Sequence, residues 1–74
     1  MKGHIRNDKL LLKISNRLKT LRFQKGVTQE EVYNETGVHI SRIEAGKSNI
    51  SVTTLHRLCI YFEIDLVEFF TFMK

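Results

Sequence analysis

A segment near the middle of the chain, residues 37–47 (GVHISRIEAGK), has side chains suited to recognising another molecule. If Ile40 and Ile43 face inward on a helix, the residues between and before them fall on the outer side. These outer side chains are hydrogen-bonding groups: His39, Ser41 and Arg42. A helix that only shields a core usually shows long Lys and Glu side chains instead. The segment therefore predicts a surface helix whose outer face binds a partner through hydrogen bonds.

Residue types that serve catalysis or metal binding lack the spacing that such sites need. No Cys or His pair has the spacing of a zinc site, and the single Cys59 has no partner for an internal disulfide. The three histidines, His4, His39 and His56, belong to no traceable pair of acid and base or activated nucleophile. We therefore expect no enzymatic activity, no metal site, no cofactor and no small-molecule ligand.

Length and charge limit the classes of protein further. The chain has 74 residues, enough for one domain, and a net charge of +4. Residues 1–26 hold eight Lys or Arg and one Asp, whereas residues 27–74 hold four and seven acidic residues. This asymmetry suggests an anionic partner, either nucleic acid or a membrane surface, although simple solubility explains it equally well. No apolar run approaches the roughly 18 residues of a membrane span, and the N-terminus lacks a signal-peptide pattern, so we expect a cytoplasmic protein.

Periodicity and capping signals predict the elements that would position the outer face of residues 37–47. The first helix is expected from Asp8 to Gly26, with apolar residues at three- and four-residue spacing: Leu11, Ile14, Leu18 and Leu21. Thr28 and Glu31 form a capping-box signature for a short second helix that stops before Gly37. The third helix is expected to end at Gly46, a residue suited to a left-handed C-terminal cap.

Two further helices follow from the same kinds of signal. Ser51 is the expected N-cap of a fourth helix whose predicted inward face contains Val52, Leu55, Leu58, Cys59 and Phe62. Asp65 and Glu68 repeat the capping-box pattern for a fifth helix. The prediction is an all-α fold, a compact five-helix bundle, with residues 1–8 as a basic N-terminal tail and residues 9–74 as the domain.

The order of these motifs over roughly residues 10–70 resembles the Cro-like, XRE-type helix-turn-helix family of phage repressors and bacterial transcriptional regulators. The segments that carry the resemblance are LRFQKGVTQEEV, TGVHISRIEAGK, NISVTTLHRL and EIDLVEFF. The resemblance implies a bundle of the lambda-repressor-like DNA-binding type. It also implies that the third helix enters the major groove as the recognition helix. The expected function is a sequence-specific regulator that binds double-stranded DNA, a dimeric repressor or autoregulator on a palindromic operator.

From the threonine that opens helix two to the glutamate that closes helix three, the chain is three residues shorter than the usual family pattern. If helix two is shortened, Thr36 is the N-cap of a full recognition helix. If helix three is shortened, it begins near His39.

The resemblance also implies roles for individual residues. Arg42 would donate two parallel hydrogen bonds to O6 and N7 of a guanine, and Ser41 and His39 would contact a base edge or a phosphate. The remaining expected contacts are with phosphates: Gln29, Thr28, Lys47 and Ser48. Each of these residues would otherwise be a solvated surface residue. Arg22 and Glu44 would form a structural ion pair between helix one and the end of helix three.

Two other classes of function compete with DNA binding. One is a helical protein-interaction module with the same fold and no specific DNA readout, as in an antitoxin-like partner. The other is a basic helix on anionic membrane that uses Lys9, Lys13 and Arg17. The basic N-terminal third and the polar outer face of helix three count against the protein-interaction module. The apolar spacing of helix one counts against the membrane-bound helix.

Helices four and five contain more apolar side chains than one helix face can bury. We therefore expect a two-fold homodimer whose interface includes Ile60, Tyr61, Val67, Phe70 and Met73. The alternative is that helix five only closes a small core and leaves its aromatic residues frayed at a terminus. In a dimer, two recognition helices would meet adjacent major grooves, so the operator should be an inverted repeat with half-sites about 34 Å apart.

Overall fold

In a computed structural model, which describes residues 6–46 and 48–73, every regular element is helical. The five α-helices are α1 (Asp8–Lys25), α2 (Gln29–Thr36), α3 (Ile40–Glu44), α4 (Val52–Tyr61) and α5 (Leu66–Phe69), followed by a 3₁₀ helix (Phe70–Met73). This order confirms the predicted all-α five-helix bundle. Most of the predicted basic tail, residues 1–8, lies outside the described ranges.

The helix ends follow the capping signals of the sequence. Asn7, one residue before the expected start, accepts a hydrogen bond from the Leu10 N–H at 3.0 Å and caps α1. Thr28 and Glu31 form the predicted reciprocal capping box, with bonds of 2.8 and 3.0 Å between each side chain and the backbone N–H of the other. The Ser51 hydroxyl caps α4, and the Asp65 carboxylate caps α5. Each cap satisfies a backbone N–H that has no partner within its helix.

The core lies where α1, α2, α3, α4 and α5 meet. Its buried apolar side chains come from all five helices: Leu11, Ile14, Leu18, Val32, Ile40, Ile43, Leu55, Leu58, Cys59 and Phe69. Phe69 is fully buried, and its ring makes edge-on contacts with the half-buried rings of Phe70 and Phe72. The short C-terminal elements therefore close the bundle and cover more apolar surface than the sequence suggested.

The predicted inward face of α4 is partly wrong. Leu55, Leu58 and Cys59 are buried and Phe62 packs against the core, but Val52 is 71% exposed. Val52 lies in the first turn, directly after the N-cap. Periodicity assigns a residue to a face of a helix, but it does not say how far along that helix the neighbouring elements extend.

The turn between α2 and α3 shows which helix is shortened. Thr36 is the last residue of α2 and is buried, so the alternative in which it caps α3 is wrong. Its hydroxyl donates to the Val32 carbonyl at 2.7 Å and accepts from the Val38 N–H at 3.1 Å. The residue at the N-cap of α3 is His39, as in the other alternative, and α3 has only five residues.

Candidate nucleic-acid interface

The outer side of α3 presents the polar residues that the sequence assigned to it. Ile40 and Ile43 are buried, whereas His39, Ser41 and Arg42 are exposed. The helix ends at Glu44, and Gly46, two residues later, takes the left-handed conformation expected of it, with a φ of 77°. Although α3 is short, it thus has an apolar inner face and a hydrogen-bonding outer face.

Arg42 is available for an external partner. Within the described ranges, its guanidinium makes no hydrogen bond and no ion pair. Its backbone carbonyl accepts a bond of 3.4 Å from the Ser48 hydroxyl, which brings the loop after α3 close to the helix. Ser48, a predicted phosphate contact, therefore lies beside the predicted base-reading arginine. Lys47, the other predicted phosphate contact of this loop, lies outside the described residues.

The C-terminal end of α3 is held by a buried ion pair. The Arg22 Nε and Nη2 atoms donate to the two oxygens of Glu44 at 2.6 and 3.1 Å, and Arg22 Nη1 donates to the Val27 carbonyl at 3.0 Å. The two side chains are only 12% and 3% exposed. The hydrogen bond with Glu44 raises the pKa of Arg22 above its ordinary high value. The pair that the resemblance implied is therefore present, in a bidentate geometry that joins α1 to α3.

Gln29 adds a contact that the sequence interpretation missed. Its side-chain amide donates to Glu44 at 2.9 Å, so the first residue of α2 is tied to the last residue of α3. The neighbouring Thr28 hydroxyl accepts the Glu31 N–H in the capping box. Both predicted phosphate contacts therefore also have a structural role at the start of α2.

A shallow depression lies between the C-terminal half of α1, the start of α2 and the outer side of α3. Its lining includes Lys19, Phe23, Gln29, Ser41 and Ala45. Lys19 places a cationic side chain beside the outer face of α3. Sequence reasoning missed this residue, although the expected pair of Arg22 and Glu44 indicated which side of α1 adjoins α3, and Lys19 lies three residues before Arg22 on that side.

Tyr33 on α2 stacks on His39. The two ring centroids are 4.4 Å apart and the ring planes are inclined by 26°. Tyr33 is 44% exposed. No sequence signal marked this contact, because its two residues belong to different elements and meet only through the geometry of the turn.

The predicted dimer residues fall into two groups. Ile60, Val67 and Met73 are 64%, 83% and 54% exposed. Tyr61 and Phe70 are half-buried and pack against the core of their own chain, with the Tyr61 ring 5.0 Å from the Lys25 ammonium nitrogen. The first group leaves apolar surface for a partner, whereas the second group already covers part of the core.

Residues 6–46 and 48–73 contain no cluster of three or more His, Cys, Asp or Glu side chains arranged to hold a metal ion. No helix in this part of the chain has the length and apolar character needed to cross a membrane.

Comparison with known proteins adds a family match. A family model described as helix-turn-helix matches residues 18–69, from the middle of α1 to the end of α5. No curated protein and no solved structure matches the chain. The matched range covers more than half of the chain and includes α2, the turn and α3.

Proposed function

The chain belongs to the XRE-type helix-turn-helix family of DNA-binding proteins, and from this membership we propose that it is a sequence-specific transcriptional regulator that binds double-stranded DNA. Its five-helix fold is of the lambda-repressor-like type. The proposed mode of action is occupation of an operator in the cytoplasm, as a repressor or autoregulator whose own concentration sets the occupancy.

The observation that carries this proposal is the division of α3 into two faces. The buried Ile40 and Ile43 anchor the helix, while Arg42 extends outward with no partner in the described ranges. In the proposed complex, α3 lies in the major groove and Arg42 donates to O6 and N7 of a guanine. Ser41 and His39, on the same side, contact neighbouring base edges or phosphates.

Contacts with the DNA backbone would come from the elements that flank α3. The N–H groups of Gln29 and Glu30 lie in the first turn of α2, where backbone donors have no partner within the helix and favour a phosphate. The Gln29 side-chain amide has a second N–H besides the one that it donates to Glu44. Thr28, Lys47 and Ser48 remain the other proposed phosphate contacts.

The proposed regulator is a homodimer on an inverted-repeat operator. Support comes from the apolar side chains that the single chain leaves exposed on its C-terminal helices, above all Ile60 and Val67. A two-fold axis near these residues would present two copies of α3 to successive major grooves on one side of the duplex.

The proposal is tested by selecting preferred duplexes from a random pool and measuring their affinity at several salt concentrations. We expect a steep loss of affinity with salt, as phosphate contacts require, and a preferred sequence that binds more tightly than random duplex. Arg42→Ala should weaken binding to the preferred duplex by about 1–3 kcal/mol and relax the preference at one base pair.

Lys13→Ala is the matched control for loss of one positive charge, because Lys13 lines a depression of α1 together with Phe72 and does not line the depression beside α3. It should lower affinity for all duplexes by a similar small factor and leave the sequence preference unchanged. If Arg42→Ala binds every sequence as tightly as the wild type does, α3 is not the recognition helix.

A further inference from the structure

The stacked pair of Tyr33 and His39 lies at the N-terminal end of α3, where the helix itself offers few side chains. With five residues, α3 makes little more than one turn, so few of its positions can face a groove together. His39 precedes the helix and extends its outer face by one side chain. The position of that side chain therefore matters more here than it would beside a longer helix.

The backbone of His39 is held in a tight turn. Its φ and ψ of −78° and 78° are close to those of an inverse γ-turn, and the Ile40 N–H donates to the Val38 carbonyl at 2.9 Å across it. Although His39 occupies the N-cap position, its side chain makes no capping hydrogen bond. The imidazole is instead held by the Tyr33 ring, with the 4.4 Å centroid distance of an aromatic stack.

We propose that Tyr33 is a positioning residue that holds the His39 imidazole as a base-edge reader at the N-terminal end of α3. A neutral imidazole has one N–H donor and one nitrogen acceptor, so it distinguishes the donor and acceptor patterns of the major groove. Stacking on Tyr33 orients the ring before DNA arrives, which lowers the entropy lost when the contact forms. This inference rests on the proposed DNA-binding function and adds a specificity element carried by α2.

The same geometry separates this role from a purely structural one. Tyr33 is nearly half exposed, so its ring contributes less to the core than a buried aromatic residue does. Replacing it should therefore change the orientation of His39 more than the stability of the fold. Tyr33→Phe keeps the stack and loses only the hydroxyl, and Tyr33→Leu keeps apolar bulk without a ring.

The first experiment selects duplexes from a random pool with the wild type and with the variants Tyr33→Ala, Tyr33→Phe, Tyr33→Leu and His39→Ala. Tyr33→Ala should lose the preference at the same base pair as His39→Ala and bind the wild-type sequence roughly 2- to 10-fold more weakly. Tyr33→Phe should keep the wild-type preference, and Tyr33→Leu should lose it although it folds. The double variant Tyr33→Ala/His39→Ala should bind no more weakly than His39→Ala alone. Asn34→Ala, an exposed neighbour on α2, is the control and should behave as the wild type.

The second experiment needs no DNA. In NMR spectra of the free protein, the Tyr33 ring should displace the chemical shifts of the His39 imidazole protons, and this displacement should persist in Tyr33→Phe and disappear in Tyr33→Ala and Tyr33→Leu. If Tyr33→Ala keeps the wild-type base preference while His39→Ala changes it, the positioning role is overturned and DNA binding stands. If the wild type selects no sequence at all, the proposed function fails, and this inference fails with it even where NMR detects the stack.

Discussion

Removal of the Arg22 side chain should destabilise the fold while leaving the outer face of α3 chemically intact. The guanidinium makes three hydrogen bonds, two to Glu44 and one to the Val27 carbonyl. In Arg22→Ala, the Glu44 side chain, only 3% exposed in the intact pair, would lose its charged partner and either stay in a largely buried site or draw water into the bundle. Gln29, its remaining partner, donates one neutral hydrogen bond and cannot neutralise the carboxylate.

The expected loss is a large part of the total stability. Removing one partner of a buried ion pair costs about 3–5 kcal/mol. A chain of this length is stabilised by roughly 4–11 kcal/mol in all, at about 0.05–0.15 kcal/mol per residue. The melting temperature should therefore fall by at least about 12 °C, at roughly 4 °C or more for each kcal/mol. Because the pKa of Arg22 is raised, its contribution is fully present below the ordinary arginine pKa, and the loss should be the same at pH 7 and pH 9.

Urea unfolding followed by circular dichroism measures this loss. Glu44→Ala and the double variant Arg22→Ala/Glu44→Ala complete a double-mutant cycle, in which the coupling energy should reach about 0.5–3 kcal/mol. Arg42→Ala is the matched control, since its guanidinium has no partner in the described ranges, and it should change stability by no more than about 0.5 kcal/mol. An Arg22→Ala protein within 1 kcal/mol of the wild type at both pH values would show that the pair contributes little to the fold.

Two further predictions concern the C-terminal helices and the core. Val67→Asp should weaken the proposed homodimer, as measured by sedimentation at micromolar concentration. Val52→Asp alters a similarly exposed valine outside the predicted interface and should leave the homodimer unchanged. Equal behaviour of the two variants would contradict the proposed interface. Burial raises the pKa of the Cys59 thiol, and the charge of Asp65 raises it further. The native protein therefore holds less thiolate at pH 8 than the urea-unfolded chain does. A thiol reagent should label the native protein much more slowly than the unfolded chain. Equal labelling rates in the two states would contradict the burial of Cys59.

The positions of most helix ends could be predicted because their signals are local. Thr28 and Glu31 satisfy each other within one turn, Ser51 caps a helix that begins one residue later, and Gly26 takes the left-handed conformation at the end of α1 with φ 75°. Each of these contacts joins residues that the chain holds close together whatever the rest of the fold does. Side-chain type and spacing are therefore sufficient to predict them.

Spacing predicted which residues share a helix face, but not how much of each face is covered. Leu55, Leu58 and Cys59 are buried as expected, whereas Val52, at the N-terminal end of the same helix face, is exposed. Likewise, the apolar residues of α5 suggested a surface for a partner, and the single chain already buries Phe69 completely. Coverage depends on which neighbouring elements reach a side chain, and that is a property of packing.

The sequence by itself determined the helical class, most of the caps, the polar outer face of α3 and, through the order of its motifs, the family. Only the tertiary structure decided where α3 begins, because that depends on a buried Thr36 whose carbonyl accepts from Arg57, a residue of α4, at 3.3 Å. The stack of Tyr33 on His39 and the bond from Gln29 to Glu44 arise in the same way. These contacts join different helices, so they exist only after burial of the core has set the helices at one particular distance and angle.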